Sequence, residues 1–328
     1  LKIIFILSLQ VDVHLRFFYG YADSGGFAVP FVVIAGGVLL LWYAMAGQLN
    51  EFHWGGSMVW TIATLFITTL LALLTTSERF VGICELWDRL ELYFLYWLVF
   101  NMVNSDEDFK LIIHLLIITL AIQSFIYLIQ SIFGVTFDLV GSVRQLDEVP
   151  RPGGTVSTNP AGFASFIMPA LLIAIANFVA RENLINRQFV FLALSLGTIA
   201  IGLTYTRVPW TGFSMAVIFV VILGYRRRLI KVVMIGWIIF VAAIAVAIFL
   251  PSLAKRVEIE YGTEGIVTAL DERSGLIEIA MNIITSHPIT GVGPGAYHYI
   301  FYNYVPEGMD QWLFTVHNEF FLRAAETG

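Results

Sequence analysis

Three observations predict an all-α, polytopic membrane helix bundle. The 328 residues are 58% hydrophobic and 13% charged, against about 45–50% and about 25% in soluble domains. Apolar runs near the ~20 residues that cross a bilayer as a helix recur along the chain, and mean hydropathy is +0.82. Arg226, Arg227, Arg228 and Lys231 crowd one short connection, the mark of a cytoplasmic loop. The same composition excludes other classes. A net charge of −6 gives no basic field for nucleic acid. A single cysteine, Cys84, allows no intrachain disulfide.

The chain opens at Leu1 inside an apolar run that extends to Leu9, and closes at Gly328 just after Phe320-Phe321-Leu322 begins another. Both ends read as cut spans of a longer protein. Between them, full-length apolar runs predict spans over 27–46, 57–75, 109–133, 162–180, 188–204, 209–224 and 231–250. A shorter run, Leu90 to Val103, follows an amphipathic lead-in carrying Glu85, Asp88 and Arg89, and is read as a further span. That makes about ten segments. Residues 1–250 are therefore expected to form the bundle, 251–317 a long outer loop, and 318–328 the start of another membrane helix.

The Arg226–Lys231 cluster fixes the sidedness. Alternating outward from it places 47–56, 104–110 and 181–187 on the cytoplasmic side with 225–231; these four loops hold seven Lys/Arg in 31 residues. The opposite loops hold nine in 130. The density agrees with the positive-inside bias, although Asn104-Ser105-Asp106-Glu107-Asp108 contributes only acids. In the long outer loop, Leu276, Ile277, Ile279, Ala280, Ile283 and Ile284 recur at helical spacing before His287-Pro288 stops the run. A helix over 273–286, lying on or near the outer interface, is expected.

Four short stretches on the predicted outer face carry possible chemistry. In Arg151-Pro152-Gly153-Gly154-Thr155, a Pro/Gly loop sets an arginine beside flexible backbone. In Thr204-Tyr205-Thr206-Arg207, a tight turn holds a cation at the boundary the positive-inside bias disfavours. Arg207 is either a snorkelling side chain that reaches headgroups or an anion clamp whose planar fork suits phosphate oxygens. Arg151 is open to the same two readings. Arg273 is either a third such cation or a solvated neighbour of Asp271 and Glu272. His317, just ahead of the last apolar run, is either a proton acceptor near neutral pH or an interfacial residue at a helix start with Asn318 as cap. The aromatics Tyr297, Tyr299, Phe301, Tyr302, Tyr304 and Trp312 either stack on sugar rings or form the loop's own core.

Other features point to bland roles. Gly291-Val292-Gly293-Pro294-Gly295 has the glycine density of a phosphate loop, but Pro294 removes a donor and no Gly-Lys-Ser/Thr follows, so it reads as a turn. His114 falls mid-span and reads as a hydrogen bond within the bundle. No His or Cys pair has metal-ligand spacing, so no structural metal is expected.

Taken together, these stretches resemble the O-antigen ligase and polymerase family of bacterial envelope glycosyltransferases. The resemblance covers roughly residues 100 to 328. It rests on Arg151–Thr155 as the Arg-x-Gly-Gly-Thr element and Thr206-Arg207 as the (Ser/Thr)-Arg turn. His287–Gly295 stands as the His-Pro…Gly-x-Gly-Pro-Gly element, and His317-Asn318-Glu319-Phe320-Phe321 as the closing His-Asn-x-x-Leu, with Leu322 one place late. Val208-Pro209 and Asn159-Pro160 depart from the usual pattern without removing a charged group. The resemblance implies about twelve helices in the bacterial inner membrane and a periplasmic active site with no cofactor. It also implies an undecaprenyl-diphosphate-linked glycan donor and a glycan or lipid A-core acceptor, both within membrane lipid. Arg151 and Arg207 would neutralise the leaving diphosphate, with Arg273 assisting. His317 would deprotonate the acceptor hydroxyl in an inverting, metal-independent transfer, and Thr155, Tyr297 and Asn318 would contact substrate. Two rivals are a transporter or flippase of lipid-linked sugars and a shape- or division-type glycan polymerase with an acidic base.

Overall fold

The computed structural model describes residues 2–8, 14–16, 28–135, 144–146, 149–156, 160–180, 185–228, 265–306, 316 and 318–328. These form an all-α protein with two three-residue strand pairings. The span expected over 231–250 lies outside the described residues. The chain divides into two compact units: Leu1–Val13 with Val103–Val257, and His14–Met102 with Glu258–Gly328.

The first unit begins with α1 (Lys2–Ser8) and is dominated by α5 (Asp106–Phe133), α6 (Pro160–Ala180), α7 (Arg187–Leu203) and α8 (Arg207–Arg226). The acidic stretch that adds nothing to the charge bias has a local purpose. Ser105 caps α5 by accepting from the Asp108 amide, and Asp106, Glu107 and Asp108 fill the first turn, where carboxylates oppose the positive end of the helix dipole. Asp108 also pairs with Lys2 of α1 at 2.9 Å. Gly134 ends α5 at φ 62, a left-handed cap that favours glycine. Asn186 caps α7 through the Gln188 amide, and Pro160 opens α6 at a position where its missing N–H costs nothing.

The core of this unit is the seam between α5, α6 and α7: Ile117 and Leu120 meet Phe163, Ile167 and Leu171, with Ala193 and Ala200 on the third helix. Small residues let the backbones approach. A Cβ at Gly197 would stand 2.9 Å from both Leu120 and Leu171 side-chain carbons. The β3–β4 pairing (Arg144–Leu146 with Val149–Arg151) precedes the loop into α6.

The second unit contains the short pairing β1–β2 (His14–Arg16 with Ala28–Pro30), α2 (Phe31–Met45), α3 (Met58–Thr75), α4 (Arg79–Met102), α9 (Gly265–Ser286), α10 (Tyr297–Ile300) and α11 (Glu319–Thr327). The run read as Leu90–Val103 with a separate lead-in is one continuous helix of 24 residues. The helix expected over 273–286 starts earlier, at Gly265, and stops at Ser286 as the following His287-Pro288 requires. Its Ile279, Ala280 and Ile283 are buried with Tyr297, Phe301, Val316 and Ala325.

Among the described residues four helical stretches are long and apolar enough to cross a membrane: Met58–Thr75, Asp106–Phe133, Pro160–Val179 and Val208–Arg226. Phe31–Met45, Arg187–Leu203 and Ser274–Ser286 are shorter apolar helices. Replacing Gly197 by leucine is expected to overpack the α5–α6–α7 seam and cost about 1–3 kcal/mol. Thermal unfolding of the purified protein in detergent would read this as a lowered midpoint, with Gly197→Ala intermediate.

Candidate functional site

In the first unit, the C-terminal half of α5 gathers polar side chains on one face. Thr119, Gln123, Ser124, Tyr127 and Gln130 are all buried, at spacings that fall within one stripe of a 3.6-residue helix. Within an apolar span such groups need partners in the protein. The loop after Arg151 supplies them. Thr155 donates its hydroxyl proton to Gln123 Oε1 at 2.7 Å, and Gln130 Nε2 donates to the Gly154 carbonyl at 3.4 Å. Gly154 sits at φ +72 directly over the Phe163 ring, which a Cβ would meet at 2.6 Å. Phe163 in turn stacks on Tyr127, centroids 4.1 Å apart and planes 14° off parallel.

The Thr204–Thr206 turn lies at this same end of the unit. The Tyr127 hydroxyl donates to the Leu203 carbonyl at 3.4 Å. Trp210 Nε1 donates to Ile201 O at 2.8 Å, and the Thr204 hydroxyl to the same carbonyl at 2.7 Å. Tyr205 reverses the chain at φ 49, a left-handed conformation rare for a side chain of this size. Thr206 is the N-cap residue of α8 and Arg207 its first helical residue. The backbones of Arg151, at the end of β4, and of Arg207 are thus carried by two segments that both rest on α5. Their side chains lie outside what the structure describes. Ser124 Oγ, Gln130 Oε1 and Ser131 Oγ are buried with no hydrogen-bond partner among the described residues. The sequence reading misses Gln123, Tyr127 and Gln130, although their i, i+4, i+7 spacing is a signal that can find them.

In the second unit, His317 lies outside the described residues. Asn318 is the N-cap of α11, its side-chain oxygen accepting from the Phe320 amide at 3.0 Å and the Phe321 amide at 3.4 Å. The backbone of Arg273 lies within α9, with its side chain outside the described atoms. Tyr297 is fully buried and stacks on Phe301 at 5.9 Å with planes 6° off parallel, so its ring faces meet protein. Burial pushes its hydroxyl up to about 12, with the Val316 backbone pulling the other way.

The glycine-rich run is a main-chain clip. The Val292 amide donates to Ala325 O at 3.0 Å and the Gly293 amide to Glu326 O at 2.9 Å. A Cβ at Gly291 would strike the Glu326 backbone, and one at Gly293 the Thr76 side chain. These donors are spent on α11, as the turn reading requires. Around α11, Arg323 pairs with Glu319 at 2.6 Å, Glu326 at 3.1 Å and Glu85 of α4 at 3.3 Å. Arg89 of α4 bonds the Thr69 hydroxyl of α3. His114 bonds its own helix, its Nδ1 2.7 Å from Lys110 O. Among the described residues no group of three or more His, Cys, Asp or Glu is placed to hold a metal ion.

Residues 190–328 match a family model described as O-antigen ligase. Over this stretch the chain is similar to that family. The matched stretch includes Arg207, Arg273 and His317 and stops short of Arg151. No curated protein matches the chain, and no solved structure does. Among the described residues the long apolar helices fit a membrane protein, and the matched stretch is similar to a glycan-transferring enzyme family.

Tyr297 yields a pH prediction. Its folded-state pKa stands above the unfolded value of about 10, so the folded state holds the proton more tightly. Its contribution is intact below about pH 10 and is lost as pH rises toward about 12. Tyr297→Phe should leave the unfolding midpoint at pH 7 within about 1 kcal/mol of the parent and flatten the alkaline loss, measured by thermal unfolding across pH 8 to 11.

Proposed function

We propose that the protein transfers a glycan from undecaprenyl diphosphate to an acceptor hydroxyl at the periplasmic face of the inner membrane. The acceptor is a growing glycan or lipid A-core. The acceptor oxygen forms its bond to the anomeric carbon as the bond to the diphosphate oxygen breaks, inverting that centre. Undecaprenyl diphosphate leaves with the electron pair, and the acceptor proton passes to the His317 imidazole. In this reading Arg151 and Arg207 balance the charge that develops on the leaving group, with Arg273 as a third cation. Stabilising developing charge in this way commonly contributes more to catalysis than any other single effect, and fixed guanidinium groups supply it without a metal.

The observation that carries the reading is the placement of Arg207. It is the first residue of a 20-residue helix, where the helix dipole favours an anion. It stands at the end of its unit to which the Arg151 loop is also fastened, and it falls within the matched stretch. An anionic headgroup at the membrane boundary suits both features.

The reading is tested with purified protein in liposomes containing an undecaprenyl-diphosphate-linked oligosaccharide and rough lipid A-core, without divalent metal. Arg207→Ala should lower transfer at least about 100-fold, the order seen when one electrostatic donor to a transition state is removed, while membrane insertion persists. Arg207→Lys should retain part of the activity, because an ammonium keeps the charge and loses the fork. Normal transfer by Arg207→Ala would exclude it from the site. His317→Ala should stop transfer and leave donor binding intact; loss of donor binding would remove the base role. Passage of the lipid-linked sugar across the bilayer with no transferred product would replace this reading by a transporter.

A further inference from the structure

The two arginine-bearing segments of the first unit are distant in sequence, yet one helix holds both. From α5, Gln123 Oε1 accepts from the Thr155 hydroxyl at 2.7 Å and Gln130 Nε2 donates to the Gly154 carbonyl at 3.4 Å, four and three residues beyond Arg151 respectively. One turn away, Tyr127 reaches the Leu203 carbonyl at 3.4 Å, four residues before Arg207. The Tyr127 ring lies flat on Phe163, and Phe163 supports Gly154 from below. The loop and the turn are therefore pinned to a common rigid face. Gln123 and Gln130 are 6% and 1% exposed, and Tyr127 and Phe163 are fully buried, so solvent does not compete for these bonds.

A diphosphate differs from a monophosphate in needing cationic partners at two places held a fixed distance apart. Loose loops would let either arginine collapse on a single phosphate, and the site would then bind both lipids alike. We infer that Gln123, Tyr127 and Gln130 are positioning residues that set the spacing of the Arg151 and Arg207 segments. That spacing makes the first unit prefer a lipid diphosphate to a lipid monophosphate. The inference rests on the reading of those arginines as the diphosphate partners. It assigns to α5 a selective role beyond bundle packing, and the three residues need not touch the lipid.

The test uses the whole protein in lipid nanodiscs and two probes free of any sugar, undecaprenyl diphosphate and undecaprenyl monophosphate. The readout is the ratio of their dissociation constants, which lost stability alone does not move. The parent should favour the diphosphate by at least about tenfold, or ~1.4 kcal/mol. Gln123→Leu, which leaves Thr155 without its acceptor, should cut that ratio at least fivefold, chiefly by weakening the diphosphate. Tyr127→Leu should do the same, while Tyr127→Phe, which keeps the ring on Phe163 but loses the bond to Leu203, should fall between Tyr127→Leu and the parent. If Tyr127→Leu does not fold, Gln123→Leu and Gln130→Leu decide the matter. An unchanged ratio in Gln123→Leu and Gln130→Leu overturns the positioning role, as does a parent protein with no preference. Arg207→Ala serves as the separate control. Full diphosphate affinity there would sink the reading of the arginines themselves. Weakened affinity there with intact ratios in the α5 variants would sink only the inference drawn from α5.

Discussion

A polar group inside an apolar span has no water to bond, so its partner must come from the protein. In the first unit this constraint shapes the end that carries Arg151 and Arg207. The C-terminal half of α5 buries Gln123, Tyr127 and Gln130, and the hydrogen-bonding groups that satisfy them belong to the loop after β4 and to the last turn of α7. The need for partners therefore draws two irregular segments onto a regular helix. Gly154 makes the approach possible by leaving room above Phe163. Packing below this level is conventional: Leu120, Leu171 and Gly197 fit together as apolar side chains around a small residue.

The second unit meets the same constraint with charge and main chain. Arg323 gathers three carboxylates, one of them the Glu326 side chain at 3% exposure. A buried carboxylate would be costly alone, and the pairing offsets that cost without guaranteeing a net gain in stability. The exposed partner Glu319, at 66%, adds little energy but orients the guanidinium. Asn101 works in the same spirit, its amide spanning from its own helix to the backbone of His53 at 2.6 and 2.8 Å.

The spans are readable because apolar length is a one-dimensional signal. α3, α5, α6, α7 and α8 begin and end within a few residues of where their apolar runs do. α4 reads as two pieces because Arg79, Glu85, Asp88 and Arg89 look like a solvated approach. Within the continuous helix, Arg89 and Glu85 find partners in Thr69 and Arg323, which are remote in sequence. α9 reads short for a similar reason, since Asp271-Glu272-Arg273 resembles a loop. At the candidate site, Arg151 and Arg207 stand out in the sequence as cations on the face that the charge bias predicts to be outer. The polar stripe on α5 that fastens their segments is periodic, but its partners Gly154, Thr155 and Leu203 are remote in sequence and leave no local sign of the pairing. Asn318 is legible as a cap because capping is local. The network around Arg323 is not, since it joins residues up to 238 positions apart.

The clip between the glycine-rich run and α11 has a consequence for how this protein tolerates change over generations. Both sides of the contact are peptide units: Val292 and Gly293 give amides, Ala325 and Glu326 give carbonyls. Side chains on the α11 surface are thus free to drift without erasing the interface, provided their own neighbours agree. The glycines opposite have no such licence, because a single added carbon at Gly291 meets backbone that cannot rotate aside. Inheritance should accordingly be lenient toward one partner of this contact and strict toward the other.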